Sequence, residues 1–144
     1  MTRSAASAAL FTLVSSAYLW NNTPTRRVKI WADVPAEQRP AMFMSGASPT
    51  AVKWEIQPLP KRTYEVKLYI YVFATDANPG DVQLDAIEDA LFAAMQPTGA
   101  DQVFGRNTLG GTCFQARIKG LPIRIPGDLD SDGIMLVDIE IILP

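Results

Sequence analysis

Residues 62–75, RTYEVKLYIYVFAT, restrict what this chain can fold into more than any other stretch. They are β-branched and aromatic almost throughout. Tyr64, Val66, Leu68, Ile70 and Val72 fall on one face of a strand at a period of two. Thr63, Glu65, Lys67, Tyr69, Tyr71 and Phe73 fall on the other. At about 3.3 Å per residue a continuous strand here reaches roughly 45 Å, so it is expected to bend or to project beyond its neighbours. An amphipathic helix follows. Leu84, Ile87, Leu91 and Met95 form its apolar stripe, while Asp85, Glu88 and Asp89 point away from it. Asp81 is the expected N-cap, and Pro97 and Gly99 stop the helix.

The residue inventory narrows the chemistry. A chain of 144 residues with 48% hydrophobic and 19% charged residues is expected to be one folded domain over residues 1–144. The expected fold class is α+β, a mixed or antiparallel sheet with two helices packed on one face. Net charge is −2, and no basic block exists beyond Arg26–Arg27 and Lys61–Arg62. Direct recognition of a nucleic-acid sequence is therefore not supported. The chain has no histidine, which removes the commonest general base and zinc ligand and the usual partner of a serine or cysteine nucleophile. The single cysteine, Cys113, cannot form an internal disulfide and reads as a small buried apolar residue. No catalytic, cofactor-binding or metal-ligating residue is expected.

Residues 1–17, MTRSAASAALFTLVSSA, have the outline of a signal peptide, yet Ser7, Thr12 and Ser15 break the apolar middle. Ala6, Leu10, Leu13, Val14 and Ala17 share a helical face, so a retained amphipathic helix over residues 4–17 is the preferred reading. No segment approaches the ~20 apolar residues of a membrane span. Val28–Trp31 is a strand candidate, residues 33–40 a loop with two prolines, and Ala41–Met44 a buried strand. Residues 45–51 read as a turn and Val52–Gln57 as a weak alternation. Thr112–Lys119 and Ile134–Leu143 are the closing strands, separated by a break at Gly120-Leu121-Pro122.

Asp128-Leu129-Asp130-Ser131-Asp132-Gly133 matches the front half of a calcium-binding EF-hand loop. The twelfth position, where that loop needs a bidentate glutamate, is Ile139, and a strand rather than a helix follows. A solvated turn with Gly133 at positive φ is the expectation. Asp85, Glu88 and Asp89 share one helical face and read as a solvent-facing patch. Tyr69, Tyr71 and Phe73 lack the flanking cations of a base-stacking platform. They instead make the sheet apolar on both faces, the second face being free for another subunit. Trp31 and Trp54 lie among loop residues, where a tryptophan suits an interface anchor, although core packing is the default for each. With Arg106 of the loop at 98–108, these six residues are the candidate subunit or partner interface. A charge at Tyr71 is expected to disturb assembly more than folding if that side chain lies at the contact.

In order, these pieces are similar to the tail-terminator proteins of long-tailed bacteriophages. The resemblance covers almost the whole chain. It runs through the N-terminal helix, Val28–Trp31, and Trp31-Ala32-Asp33-Val34-Pro35. The segment Glu37-Gln38-Arg39-Pro40-Ala41-Met42-Phe43-Met44 resembles the family's Gln-Pro-Ala-Leu-Phe strand opening. Lys61–Thr75 resembles its long strand and Leu84–Met95 its helix. Thr108-Leu109-Gly110-Gly111 with Phe114–Gly120 and Gly133–Leu143 resembles its terminal hairpin. The resemblance implies a non-enzymatic virion protein, assembled in the host cytoplasm as a homohexameric ring at the junction of tail and neck. Its implied partners are itself, the tail tube protein and a head-completion or stopper protein, with no membrane and no cofactor. The runner-up is another neck or head-completion connector. A secreted calcium-stabilised binding domain is the rival from a different class.

Overall fold

Two long antiparallel strands set the architecture. The computed structural model describes residues 1–53 and 61–144. Strand β3 (Lys61–Phe73) pairs with β6 (Asp132–Leu143) in one unbroken register, from Arg62 opposite Leu143 to Phe73 opposite Asp132. On the other side of β3 lie β1 (Ala41–Met44) and β2 (Ser48–Lys53), end to end. Along β6 lie β4 (Gln115–Ile118) and β5 (Ile123–Ile125), again end to end. All pairings among the described strands are antiparallel. The expected overhang of the long strand is absent because β6 matches its length. Both edges are instead short strands, which limits the unpaired backbone offered to other chains.

The period-two alternation decides which face is buried. Val66, Leu68, Ile70 and Val72 of β3 and Met135, Ile139, Ile141 and Leu143 of β6 are closed to solvent at or near zero exposure. Helices α1 (Arg3–Ser16) and α2 (Gly80–Ala94) cover this face together, giving the α+β fold anticipated from sequence. A third helix, α3 (Asp101–Phe104), is a single turn that buries none of its own residues. In α2 the stripe Leu84, Ile87 and Leu91 is buried as its spacing implies, and Met95 follows at the C-cap. The helix starts at Gly80 with Pro79 as N-cap, so Asp81 lies in the first turn rather than at the cap. Its carboxylate accepts from the Val82 N–H at 2.9 Å.

Thr2 caps α1, its hydroxyl accepting from the Ala5 N–H at 3.1 Å. The buried stripe is Ala6, Ser7, Leu10 and Val14. Ser7 thus lies on the packed face, not off it, and Leu13 is only half-buried at the margin. Positions 7, 10 and 14 share a helical face as well as 6, 10, 13 and 17 do, and the smaller Ser7 is the one turned inward. Truncating Leu10 to alanine is expected to cost about 2–5 kcal/mol, since the side chain is fully buried and the cavity cannot collapse completely. Urea denaturation reads this directly, and an unchanged midpoint would show that α1 is not packed as described.

Other expectations need correcting. Residues 28–31 form no strand; Trp31–Asp33 and Ala36–Gln38 are short 3-10 turns. Ser48–Lys53, expected to be mostly turn, is strand β2, every residue of it exposed. Only pairing to β3 makes it a strand, so no apolar period marks it. Residues 54–57 of the expected alternation lie outside the described residues. The strand expected from Thr112 begins at Gln115, because Thr108 O accepts from the N–H groups of Gly111, Thr112 and Cys113 and holds a turn there.

Candidate assembly surface

The sheet face turned away from the helices divides into three zones. In the first, the chain from residue 28 to 40 folds back over the sheet, and Val34, Ala41, Phe43 and Tyr71 form a second small core. Arg39 clamps that segment in place, its side chain only 4% exposed. Its Nε donates to Val34 O at 3.2 Å and its Nη2 to Trp31 O at 2.7 Å. Its Nη1 donates to Val72 O at 3.3 Å and to Asp132 Oδ1 at 2.7 Å. One guanidinium therefore joins the folded-back segment to the end of β3 and the start of β6, a task its planar fork of donors suits. The Tyr71 hydroxyl donates to Lys29 O at 2.5 Å. Burial pushes the Tyr71 phenol above its ordinary range; neighbouring Tyr69 acts in the same direction and Arg39 against it.

The second zone is charged and balanced within itself. Lys67 meets Asp138 at 3.0 Å and Glu65 at 3.2 Å, and Lys119 reaches Glu65 at 3.7 Å. Arg117 pairs with Glu140 at 2.8 Å. The hydrogen bonds to Asp138 and then Glu65 raise the Lys67 ammonium above its ordinary value. The face is therefore not apolar throughout: its middle is a solvated ladder of cross-strand charge pairs.

The third zone is a groove of about 410 Å³. Val28, Ile30 and Trp31 make one wall, Tyr69, Ile134 and Leu136 the floor, and Ile125 of β5 the far side. Ile30 is 56% and Trp31 45% exposed, so an apolar surface faces solvent here. Lys29 stands at the groove, with Asp130 and Asp132 also lining it.

Of the six candidate interface residues, the fold gathers Trp31, Tyr69 and Tyr71 at this groove. Tyr71 lies beneath the chain's own segment at 2% exposure, so a charge there attacks folding before assembly. Phe73 is half-exposed at the end of β3 and lines a different pocket, beside Asp76 and Asp128. Arg106 is elsewhere, stacked over Phe114 at 4.4 Å and Phe104 at 5.2 Å. Trp54 lies outside the described residues. Ile123 and Ile125, exposed on β5 with Arg124 between them, were missed, although their strict alternation was a usable signal. No family model matches this chain, and no curated protein does. Among the described residues no helix is long and apolar enough to cross a membrane.

The acidic turn is occupied with its own structure. Asp132 is held by Arg39, and Asp130 Oδ1 accepts from the Asp132 N–H at 3.1 Å. Among the described residues no three acidic, cysteine or histidine side chains converge as a metal set. The left-handed residues are Gly127 and Ser131, not Gly133. Gly133 is needed for space, since a Cβ there would stand 2.3 Å from Val72 Cγ2. Calcium binding is expected to be millimolar or undetectable by calorimetry, well short of a complete loop. Micromolar affinity abolished by Asp130→Ala would contradict this. Cys113 is fully buried, and burial first, with Asp101 second, pushes its thiol up to about 11, so it is an inert packing residue.

Proposed function

We propose that this chain is the subunit of a ring that caps a phage tail tube, ends its polymerisation and presents a surface for joining the head. The protein then works by shape and self-association, without chemistry of its own. Two things support the reading: the order of segments along the sequence, which resembles that of tail terminators although no strand forms at residues 28–31, and the surface on the non-helical side of the sheet. The single observation that carries it is the apolar groove walled by exposed Ile30 and Trp31. An exposed apolar trough of this kind is suited to burial by another protein surface. A closed ring requires a heterologous contact, one patch of each subunit meeting a different patch of the next.

The test is removal of the protein from its particle. Tubes of uncontrolled length that fail to join heads are the expected outcome. Tails of normal length that remain headless would reassign the protein to a neck connector, and normal tails joined to heads would end the assignment.

A further inference from the structure

We infer that the groove beside Trp31 receives the exposed face of α2 from a second copy of this chain, through paired apolar and opposite-charge contacts. The inference rests on the ring reading, for which it supplies the contact. Charge is the first argument. The groove's wall continues into Arg26, Arg27 and Lys29, all exposed and none in an ion pair with a described residue. Helix α2 is the reverse: it carries Asp81, Asp85, Glu88 and Asp89, with no lysine or arginine between residues 80 and 105. Asp85 meets Arg124 at 2.7 Å, whereas Glu88 and Asp89 pair with no described cation.

Apolar matching is the second argument. The exposed ridge of α2 runs Val82, Ala86, Asp89 and Ala93 at helical spacing, with Val82 54% exposed. The ridge of Val82, Ala86 and Ala93, with carboxylates at Glu88 and Asp89, fits an apolar trough whose near wall carries Lys29 and continues into Arg26 and Arg27. Of the two carboxylates that also line it, Asp132 is already paired with Arg39, and Asp130 is the one like charge the contact must accommodate. Placement is the third. The groove belongs to the sheet face of Tyr69 and Leu136, while α2 packs on the face of Leu68 and Val137. The two patches therefore lie on opposite sides of the subunit. They cannot meet within one chain, and joining them between chains propagates head to tail, as a ring demands.

The test uses two charge reversals in the full chain: Arg27→Glu with Lys29→Glu in the groove wall, and Ala86→Lys with Asp89→Lys on the helix. Molecular mass is followed by light scattering at about 50 mM and about 500 mM salt, where exposed charges are weakly and strongly screened. Wild type is expected to form species heavier than a monomer that dissociate in high salt. Each reversal alone should weaken association on the order of a hundredfold by setting like charges opposite each other. An equal mixture of the two should assemble again, since the glutamates introduced in one variant then face the lysines introduced in the other while the remaining contacts keep their wild-type pairing, and one chain carrying all four changes should also assemble. A misfolded variant could not be rescued by mixing. A wild type that stays monomeric, reversals without effect, or a mixture that stays apart would each overturn the contact. Rings formed with tail-tube subunits that survive both reversals would remove this contact while leaving the terminator reading standing. Rescue by mixing, in a particle whose tails keep normal length without the protein, would do the opposite.

Discussion

Gly80→Ala is expected to destabilise the protein by about 3 kcal/mol, at the upper end of what overpacking costs. A Cβ at Gly80 would stand 1.7 Å from Pro126 O and 2.9 Å from Pro126 C, both backbone atoms, and 3.3 Å from Ala74 Cβ. No rotamer change relieves a clash with a carbonyl, so the turn between β5 and β6 or the start of α2 must move. The better helix propensity of alanine returns at most about 1 kcal/mol. Gly46→Ala is the control, because nothing lies within 4 Å of its Cβ position. It is expected to change stability by no more than about 0.5 kcal/mol. Urea midpoints of the two variants give the comparison, and equal midpoints would show that the approach of Pro126 to the helix is not as described.

How far the fold could be read in advance depended on whether a residue's fate was decided by its neighbours in sequence. The inward faces of β3 and β6 and the stripe of α2 were legible, since a period of two or 3.6 is written in the residues themselves. Strand β2 was not: it is exposed along its length and exists because residues 61–65 pair with it. The segment from 28 to 40 was harder still. Val28–Trp31 has a strand's composition, but the chain there is bound by Arg39 to an aspartate 93 residues away, a link no local pattern announces. Gly133 shows the same limit. A glycine after an acidic run suggests positive φ, yet Val72 on a neighbouring strand is what forbids a side chain there. The groove was half-legible. Trp31 and Tyr69 were singled out, while the far wall formed by Ile125 requires knowing that β5 folds back beside β6.

Arg39→Ala is expected to cost about 3 kcal/mol and, more usefully, to separate the groove from the core. The substitution removes charge-assisted hydrogen bonds to three carbonyl groups and one carboxylate. Breaking a buried ion pair costs up to about 5 kcal/mol, but Asp132 is 31% exposed and recovers water, which places the loss nearer the lower end. Arg39→Lys should recover only part of it, because a single ammonium cannot span Val34 O, Trp31 O and Asp132 together. The helix-covered face makes no use of Arg39, so far-ultraviolet circular dichroism should stay near wild type. The folded-back segment, by contrast, loses its clamp. Tryptic cleavage after Arg26, Arg27 or Lys29 should therefore accelerate strongly, since cleavage follows the population of locally opened chain. Self-association through the Trp31 wall should weaken with it, while Leu10→Ala, which acts on the opposite face, should lower global stability without that selective effect. If Arg39→Ala leaves cleavage and midpoint unchanged, the clamp does not hold the segment. If cleavage accelerates while assembly is untouched, the groove wall is ordered by Arg39 but is not the surface at which subunits meet.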